Sequence, residues 1–428
     1  MKKMDYQNVK GTQDYLPEAE EIRSKIRRTL EDVFIQYGCK PLETPILNYE
    51  ELLASKYGGG AEILEEMYTL SDRGERKLAL RYDLTIPFAK VVAMNPTIRM
   101  PFKRYEIGKV FRDGPIKTGR LREFTQCDVD IVGVQSQVAE AELMVMAIDA
   151  FNKLDLNVTI QYNNRMLLTG MLEAFETPEN QINRVVLILD KLEKVGLEAV
   201  VSELAAQGLP SETVDSIKGF LINENNTDYS YFEQFAERNA LIQSGIDELK
   251  ELETYLEYLK VKSKCIFNPF LARGLEIYTG TIYEIFMTDK SLKSSIGSGG
   301  RYDNAIGGLL GTNEKVSTVG ISFGLDVIYT ALLQSNGMKK NASPIDYYVI
   351  PLNTWKESLL VASDIRKKGY VVEVEMGNKK IGKALDRANK EKVRKVIIIG
   401  ETEVKRNQYI VKDMMSGEEK VESFTYYF

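Results

Sequence analysis

Between Glu123 and Gly133 the chain reads EFTQCDVDIVG. In an extended strand residues two apart share a face, so Phe124, Gln126, Asp128 and Asp130 point one way, while Thr125, Cys127, Val129 and Ile131 make an opposite face with the character of core. The same alternation groups Arg81, Asp83 and Thr85 in LRYDLT, and Arg104, Glu106 and Arg112 along the run from Phe102 to Arg112. An amide and carboxylates in one row are costly to bury without partners. Any one of these residues alone fits an ion pair on a solvated sheet face. Several such rows, interleaved with glycines and arginines, point to a polar binding site. With no histidine in 428 residues, protein imidazole is excluded as general base, metal ligand or triad member. The chemistry must rest on Arg, Lys, carboxylates, hydroxyls and backbone groups.

The elements that must position these rows follow from periodicity. Residues 17–37 carry apolar side chains at helical spacing (Ile22, Ile26, Leu30, Val33, Phe34), with Gly38 as a stop. Residues 77–85 read as a strand, and 102–112 and 122–133 as a long antiparallel hairpin whose polar connection holds Gly114, Pro115 and Gly119. Helical spacing returns at 138–154 and dominates from Met166 to about Val261; strands reappear at 275–287, and 327–333 reads as a helix. Strands, then helices, then strands again predict an antiparallel α+β domain, residues 1–333, with a helical insertion at about 166–261. Residues 334–344 (QSNGMKKNASP) have linker composition, and alternating strands and helices over 345–428 predict a separate small α/β domain with a largely parallel sheet.

Composition bounds the partners. The hydrophobic and charged fractions, 44% and 28%, are those of a soluble globular protein, with no apolar run of membrane-spanning length and no apolar leader in residues 1–10. Cys39, Cys127 and Cys265 are far apart and form no CxxC pair, which argues against a disulfide framework or structural zinc and fits a reducing cytoplasm. A net charge of −6 leaves any nucleic-acid partner to local basic patches.

The motifs carry a resemblance to class II aminoacyl-tRNA synthetases of the histidyl kind. FRDGPIKTGRLREFTQCDVDIVG (residues 111–133) resembles motif 2, and LARGLEIYTG (271–280) and GSGGRYDNAIGGLLG (297–311) resemble the two histidine-specific motifs. VGISFGLDVI (319–328) is similar to motif 3, and KKIGKALDRANKEKVRKVIIIGETE to the anticodon-binding domain. The resemblance spans nearly the whole chain in the family's order. It implies a class II antiparallel sheet flanked by helices, a C-terminal α/β anticodon-binding domain, activation of L-histidine with ATP and its associated Mg2+, and loading of tRNA(His) by a homodimer in which the Pro45 region lies at the interface. No metal site of the protein's own is implied. Carried over by position, Asp83, Thr85 and Gln126 would hold the ammonium and backbone end of histidine, and Asp130 and Tyr278 the imidazole. Arg112 would take the α-phosphate with Arg273 opposite it, and Arg120, Asp113 and Gly324 would contact ATP, Arg120 at its tail or at the tRNA end.

The match departs at several places. Gly114 stands where motif 2 has a glutamate, Glu276 and Ile277 where Asp and Tyr are common, and Val327, after Asp326, where motif 3 ends in the arginine that clamps the γ-phosphate. The missing guanidinium leaves open a second reading, a synthetase-like regulatory subunit of ATP phosphoribosyltransferase. A third reading is a purely RNA-binding protein using Lys379, Lys380, Lys383, Arg387, Lys390, Lys392, Arg394 and Lys395.

Overall fold

The computed structural model describes residues 6–55, 64–117, 119–272, 277–312, 314–335, 345–377 and 380–425. The chain divides into two compact units, Met1–Gly337 and Met338–Phe428. Most of the linker segment lies outside the described residues. Among those described, no helix is long and apolar enough to cross a membrane.

The first unit holds β1 (Lys40–Pro41), β2 (Leu47–Tyr49), β3 (Thr69–Ser71), β4 (Lys77–Leu80), β5 (Phe102–Phe111), β6 (Glu123–Val132), β7 (Val158–Asn164), β8 (Cys265–Phe267), β9 (Thr281–Met287), β10 (Gly297–Arg301) and β11 (Thr318–Gly324). Eight of them form one sheet in the order β1-β5-β6-β11-β10-β9-β7-β8. All its pairings are antiparallel except those at its two edges, β1 with β5 and β7 with β8. The hairpin legible in the alternating pattern is β5–β6, at its centre.

One face of this sheet is apolar. Phe323 and Cys127 pair across β11–β6, and Phe323 meets Phe34 of helix Pro17–Gln36 at 5.6 Å and Phe151 of helix Val138–Lys153 at 5.7 Å between ring centroids. Burial of these aromatics and of Ile26, Leu30 and Val33 is what docks the two helices. Asp326, at the start of helix Leu325–Gln334, adds a polar anchor. It accepts from Tyr15 Oη at 2.6 Å, from the Thr125 amide at 2.8 Å and from the buried Arg23 guanidinium.

The insertion comprises helices from Arg165–Ala174 to Ala240–Tyr258. Three are started by side-chain caps: Asn164 accepts from the Met166 amide, Asp228 from Ser230 and Asn239 from Leu241. One expectation needs correction. The strand over 77–85 ends at Leu80, and Thr85 opens the helix Thr85–Met94. The Asp83 carboxylate accepts from the Ile86 amide at 3.2 Å, so the short polar side chain turns the chain into a helix instead of continuing the strand.

The second unit carries β12 (Tyr347–Pro351), β13 (Val372–Val374), β14 (Lys395–Ile399), β15 (Gln408–Asp413) and β16 (Glu419–Ser423) in the order β13-β12-β14-β15-β16. Its first two pairings are parallel and its last two antiparallel, so the sheet is less parallel than alternation alone suggests. The excess is the β15–β16 hairpin, closed by Asp413 accepting from the Met415 and Ser416 amides. Of the basic residues noted in the sequence, Arg387 is paired with Glu373 and Glu391, while Lys379 lies outside the described residues.

Candidate active site

Strand register builds the site. Asp130 sits opposite Arg104 on β5 and Gly320 on β11, and Gly320 opposite Gly300 on β10. The next row outward is Glu106, Asp128, Ser322 and Ser298, and the one after it Gly108, Gln126 and Gly324. These rows share the face turned away from the aromatic core. Asp83, Thr85 and Tyr278 close over them from the loop and helix after β4 and the segment before β9. Together with Asp128, Asp130, Ser298, Tyr302 and Ser322 they line a cavity of about 440 Å³ of empty space, partly open to solvent.

Beneath the cavity lies a chain of alternating charge. Arg81 Nη1 donates to Glu106 at 2.7 Å and to the Thr44 carbonyl at 2.7 Å. Arg104, with no exposed surface, lies 3.7 Å from Glu106, 2.6 Å from Asp130 Oδ2 and 4.3 Å above the Phe88 ring. Arg81, gathered with Asp83 and Thr85 in the sequence, therefore belongs to the support and not to the cavity wall. Tyr302 donates to Asp130 Oδ1. A side chain at Gly320 would place its Cβ 2.0 Å from Asp130 Oδ1, so only glycine lets this carboxylate lie where it does.

The cavity is rich in buried acid. Burial pushes Asp83 up to about 6, against the lowering effect of the Ile86 amide and of Arg112. Burial holds Asp128 up to about 8; Arg104 and a hydrogen bond from Ser322 pull it down, and the neighbouring Asp130 raises it further. Asp130 is raised by burial and held back by Arg104 and Tyr302. Asp128 Oδ1 and Gln126 Oε1 are buried without a hydrogen-bond partner.

The residues singled out for the amino acid are thus brought together: Asp83, Thr85, Asp130 and Tyr278 line the cavity, and Gln126 donates at 2.9 Å to Ser322 in its wall. Those singled out for the nucleotide spread toward solvent. Arg112 Nε donates to the Tyr82 carbonyl at 2.9 Å, and its guanidinium lies 5.3 Å from the Phe124 ring centroid. Asp113 and Arg122 pair at 2.9 Å, and Arg120 donates to Glu66 at 3.0 Å, on exposed side chains. Gly324 ends β11 opposite Gln126. Val327 packs between two glycines, 3.6 Å from the Cβ position of Gly119 and 3.3 Å from that of Gly324. Arg273 lies outside the described residues. Sequence reasoning put Asp128 and Arg104 in polar rows without giving either a role, and it missed Ser322 and Tyr302. Position in the alternation marks Asp128 and Arg104; nothing local marks the others.

The chain matches the family model described as histidyl-tRNA synthetase over residues 11–328, and the anticodon binding domain over residues 346–425. It is 59% identical over 426 residues to histidine--tRNA ligase 2 of Shouchella clausii, covering 100% of both chains. To histidine--tRNA ligase 1 of Bacillus cereus ATCC 14579 it is 54% identical, over 97% of each chain. The crystal structure of histidyl-tRNA synthetase from Nostoc sp. PCC 7120 superposes with a TM-score of 0.83 at 28% identity, covering 98% of this chain and 97% of that one.

Proposed function

The chain belongs to the histidyl-tRNA synthetase family, and from this premise we propose that it activates L-histidine with ATP to histidyl-adenylate and transfers the histidyl group to the 3′ end of tRNA(His). The observation that carries the reading is the convergence of Asp83, Thr85, Asp130 and Tyr278 on one cavity, with Arg112 close enough to Asp83 to lower its pKa. Acidic and amide groups there suit a substrate with an ammonium and ring N–H groups, and Asp83, Thr85, Gln126, Asp130 and Tyr278 form its binding set.

In the first step a carboxylate oxygen of histidine bonds to the α-phosphorus as the bond to the bridging oxygen of pyrophosphate breaks. Arg112 stabilises the charge that develops on the α-phosphate, with Arg273 as its counterpart, and Arg120, Asp113 and Gly324 face the rest of ATP. Magnesium arrives on the phosphates. In the second step the terminal ribose hydroxyl attacks the carbonyl carbon, AMP leaves, and the adenylate's own phosphate accepts the proton. No enzyme imidazole is required.

Residues 1–333 act as the catalytic domain with the insertion at about 166–261, and residues 345–428, across which the anticodon-domain match falls, read the tRNA. We assign a cytoplasmic homodimer with the Pro45 region at its interface. The regulatory-subunit reading is not favoured, because relatives at 54–59% identity over essentially the whole chain are named as ligases. A purely RNA-binding role leaves the buried carboxylates of the cavity without a use.

Pyrophosphate exchange into ATP, with each standard amino acid offered in turn, tests the proposal. Exchange that depends on histidine alone is expected. Folded protein without it returns the chain to the regulatory reading.

A further inference from the structure

Resting on the reading of the β5–β6 connection as an ATP site, we propose that Glu66 is a specificity-determining residue for the nucleotide. Its carboxylate accepts a hydrogen bond from a neutral donor of the nucleoside, the 6-amino group of the base or a ribose hydroxyl. Three observations carry this.

The first is place. Gly114 is buried, and a Cβ there would lie 2.4 Å from Glu66 Oε1, 2.7 Å from its Cδ and 2.9 Å from its Oε2. The Glu66 carboxylate fills the volume into which a side chain at 114 would project, the position where motif 2 has its glutamate. A carboxylate from the segment before β3 therefore stands where the connection itself supplies none.

The second is anchoring. The Asp113 amide donates to the Glu66 carbonyl at 2.7 Å, and the Leu80 amide, at the end of β4, donates to the Tyr68 carbonyl at 3.0 Å. Just beyond β4, the Tyr82 carbonyl accepts from Arg112 Nε. One short stretch of chain thus fixes Glu66 and the arginine assigned to the α-phosphate in a common frame. The Glu66 side chain is 21% exposed, whereas Asp113 is 46% exposed and paired with Arg122. Of the two carboxylates, Glu66 is the more shielded from water and so the better discriminator.

The third is charge. Arg120 Nη2 donates to both oxygens of Glu66, at 3.0 and 3.2 Å. The arginine side chain is 48% exposed, and an ion pair so solvated is weakly held. A polyphosphate draws that guanidinium away, since guanidinium–phosphate bonds are among the strong ones. The same phosphates repel Glu66, so the groups of ATP it can serve are the donors of the nucleoside. Arg120 gains phosphate as Glu66 gains that donor, and both charges remain partnered.

The test is histidine-dependent pyrophosphate exchange by the full chain, with ATP, inosine triphosphate, 2′-deoxy-ATP and 3′-deoxy-ATP as nucleotides. Glu66→Ala, Glu66→Gln, Gly114→Glu and the double variant Glu66→Ala/Gly114→Glu are compared with wild type, each beside a melting curve. Glu66→Ala is expected to raise the ATP KM about tenfold, the cost of one hydrogen bond to a charged group, and to leave the histidine KM within about twofold. If the base is the donor, Glu66→Gln, whose amide donates to a 6-oxo group, shrinks the preference for ATP over inosine triphosphate about fivefold or more. If the ribose is the donor, Glu66→Ala instead erases a preference of that size against one deoxy form. Gly114→Glu alone is expected to raise the ATP KM, because two carboxylates compete for one place, and the double variant to return it to within about threefold of wild type. The assignment is overturned if Glu66→Ala keeps the ATP KM within about threefold, or if neither Glu66 variant moves any nucleotide preference beyond about twofold. A folded double variant no better than Glu66→Ala overturns it as well; should Gly114→Glu not fold, the nucleotide preferences decide alone. Wild-type protein that neither exchanges with histidine nor is stabilised by ATP with Mg2+ overturns the ATP reading itself, a result separate from every variant outcome.

Discussion

The two ends of the site are built differently. The amino-acid end stands on strand register: Gln126, Asp128, Asp130, Ser298, Gly320 and Ser322 hold their places through the pairing of β6, β11 and β10, and Arg81, Arg104 and Glu106 brace them from below. The nucleotide end stands on the β5–β6 connection, where Asp113 and Arg120 are exposed and paired with Arg122 and Glu66. Where a family arginine would fix the γ-phosphate, Val327 packs against glycines. On the proposed reading, selection of the amino acid therefore rests on groups already held in place by the sheet. On the same reading, Arg120 and Asp113 would exchange surface partners for the nucleotide.

The largest effect should come from breaking the preorganised end. Gly320→Ala drives a methyl into Asp130, and histidine-dependent exchange is expected to fall at least 100-fold, measured beside a melting curve. Exchange within tenfold of wild type would mean that the strand register can yield around Asp130. At the other end, Arg112→Ala removes a guanidinium facing developing charge, so kcat for exchange is expected to drop on the order of 100-fold with little change in the histidine KM. If the histidine KM moves instead, Arg112 serves the amino acid and the division between the two ends dissolves.

The smallest effect is on stability. Asp128 titrates near 8 when folded and near 4 when unfolded, so the folded state holds the extra proton between those values and loses stability as pH rises through that window. Burial raises this value most; Arg104 lowers it, Asp130 on the same strand raises it, and Ser322 and Asp83 act from neighbouring elements. Asp128→Asn should melt a few degrees above wild type at pH 8, with a flatter pH dependence between about 5 and 8. Parallel melting curves at every pH would show that Asp128 is not the group that makes the cavity costly.

How much of this is legible in the sequence follows from what alternation can report. The β5–β6 hairpin and the polar row of β6 come directly from residues two apart, and helices 17–36 and 138–153 from their spacing. Asp83 and Thr85 were assigned to a strand because LALRYDLT alternates too; a single side-chain hydrogen bond to the Ile86 amide turns that segment into a helix start, and periodicity does not register one bond. Ser322 and Gly320 become part of the site through cross-strand pairing, which depends on which strands are neighbours, and Tyr302 by following the end of β10. A one-residue slip of β11 would replace Gly320 and Ser322 with Ile321 and Phe323 on the polar face.

The Asp326 anchor has a consequence for how such a chain is made. Arg23, at 2% exposure, is paired to Glu20 of its own helix and also to Asp326, 303 residues downstream, and Tyr15 donates to the same Asp326. An unpaired guanidinium cannot be buried cheaply. As the polypeptide leaves the ribosome, the first helix therefore lacks its second carboxylate anchor until the last helix of the first unit has emerged. Closure of the Asp326 anchor, which also ties the Thr125 amide of β6, is therefore an event of late synthesis.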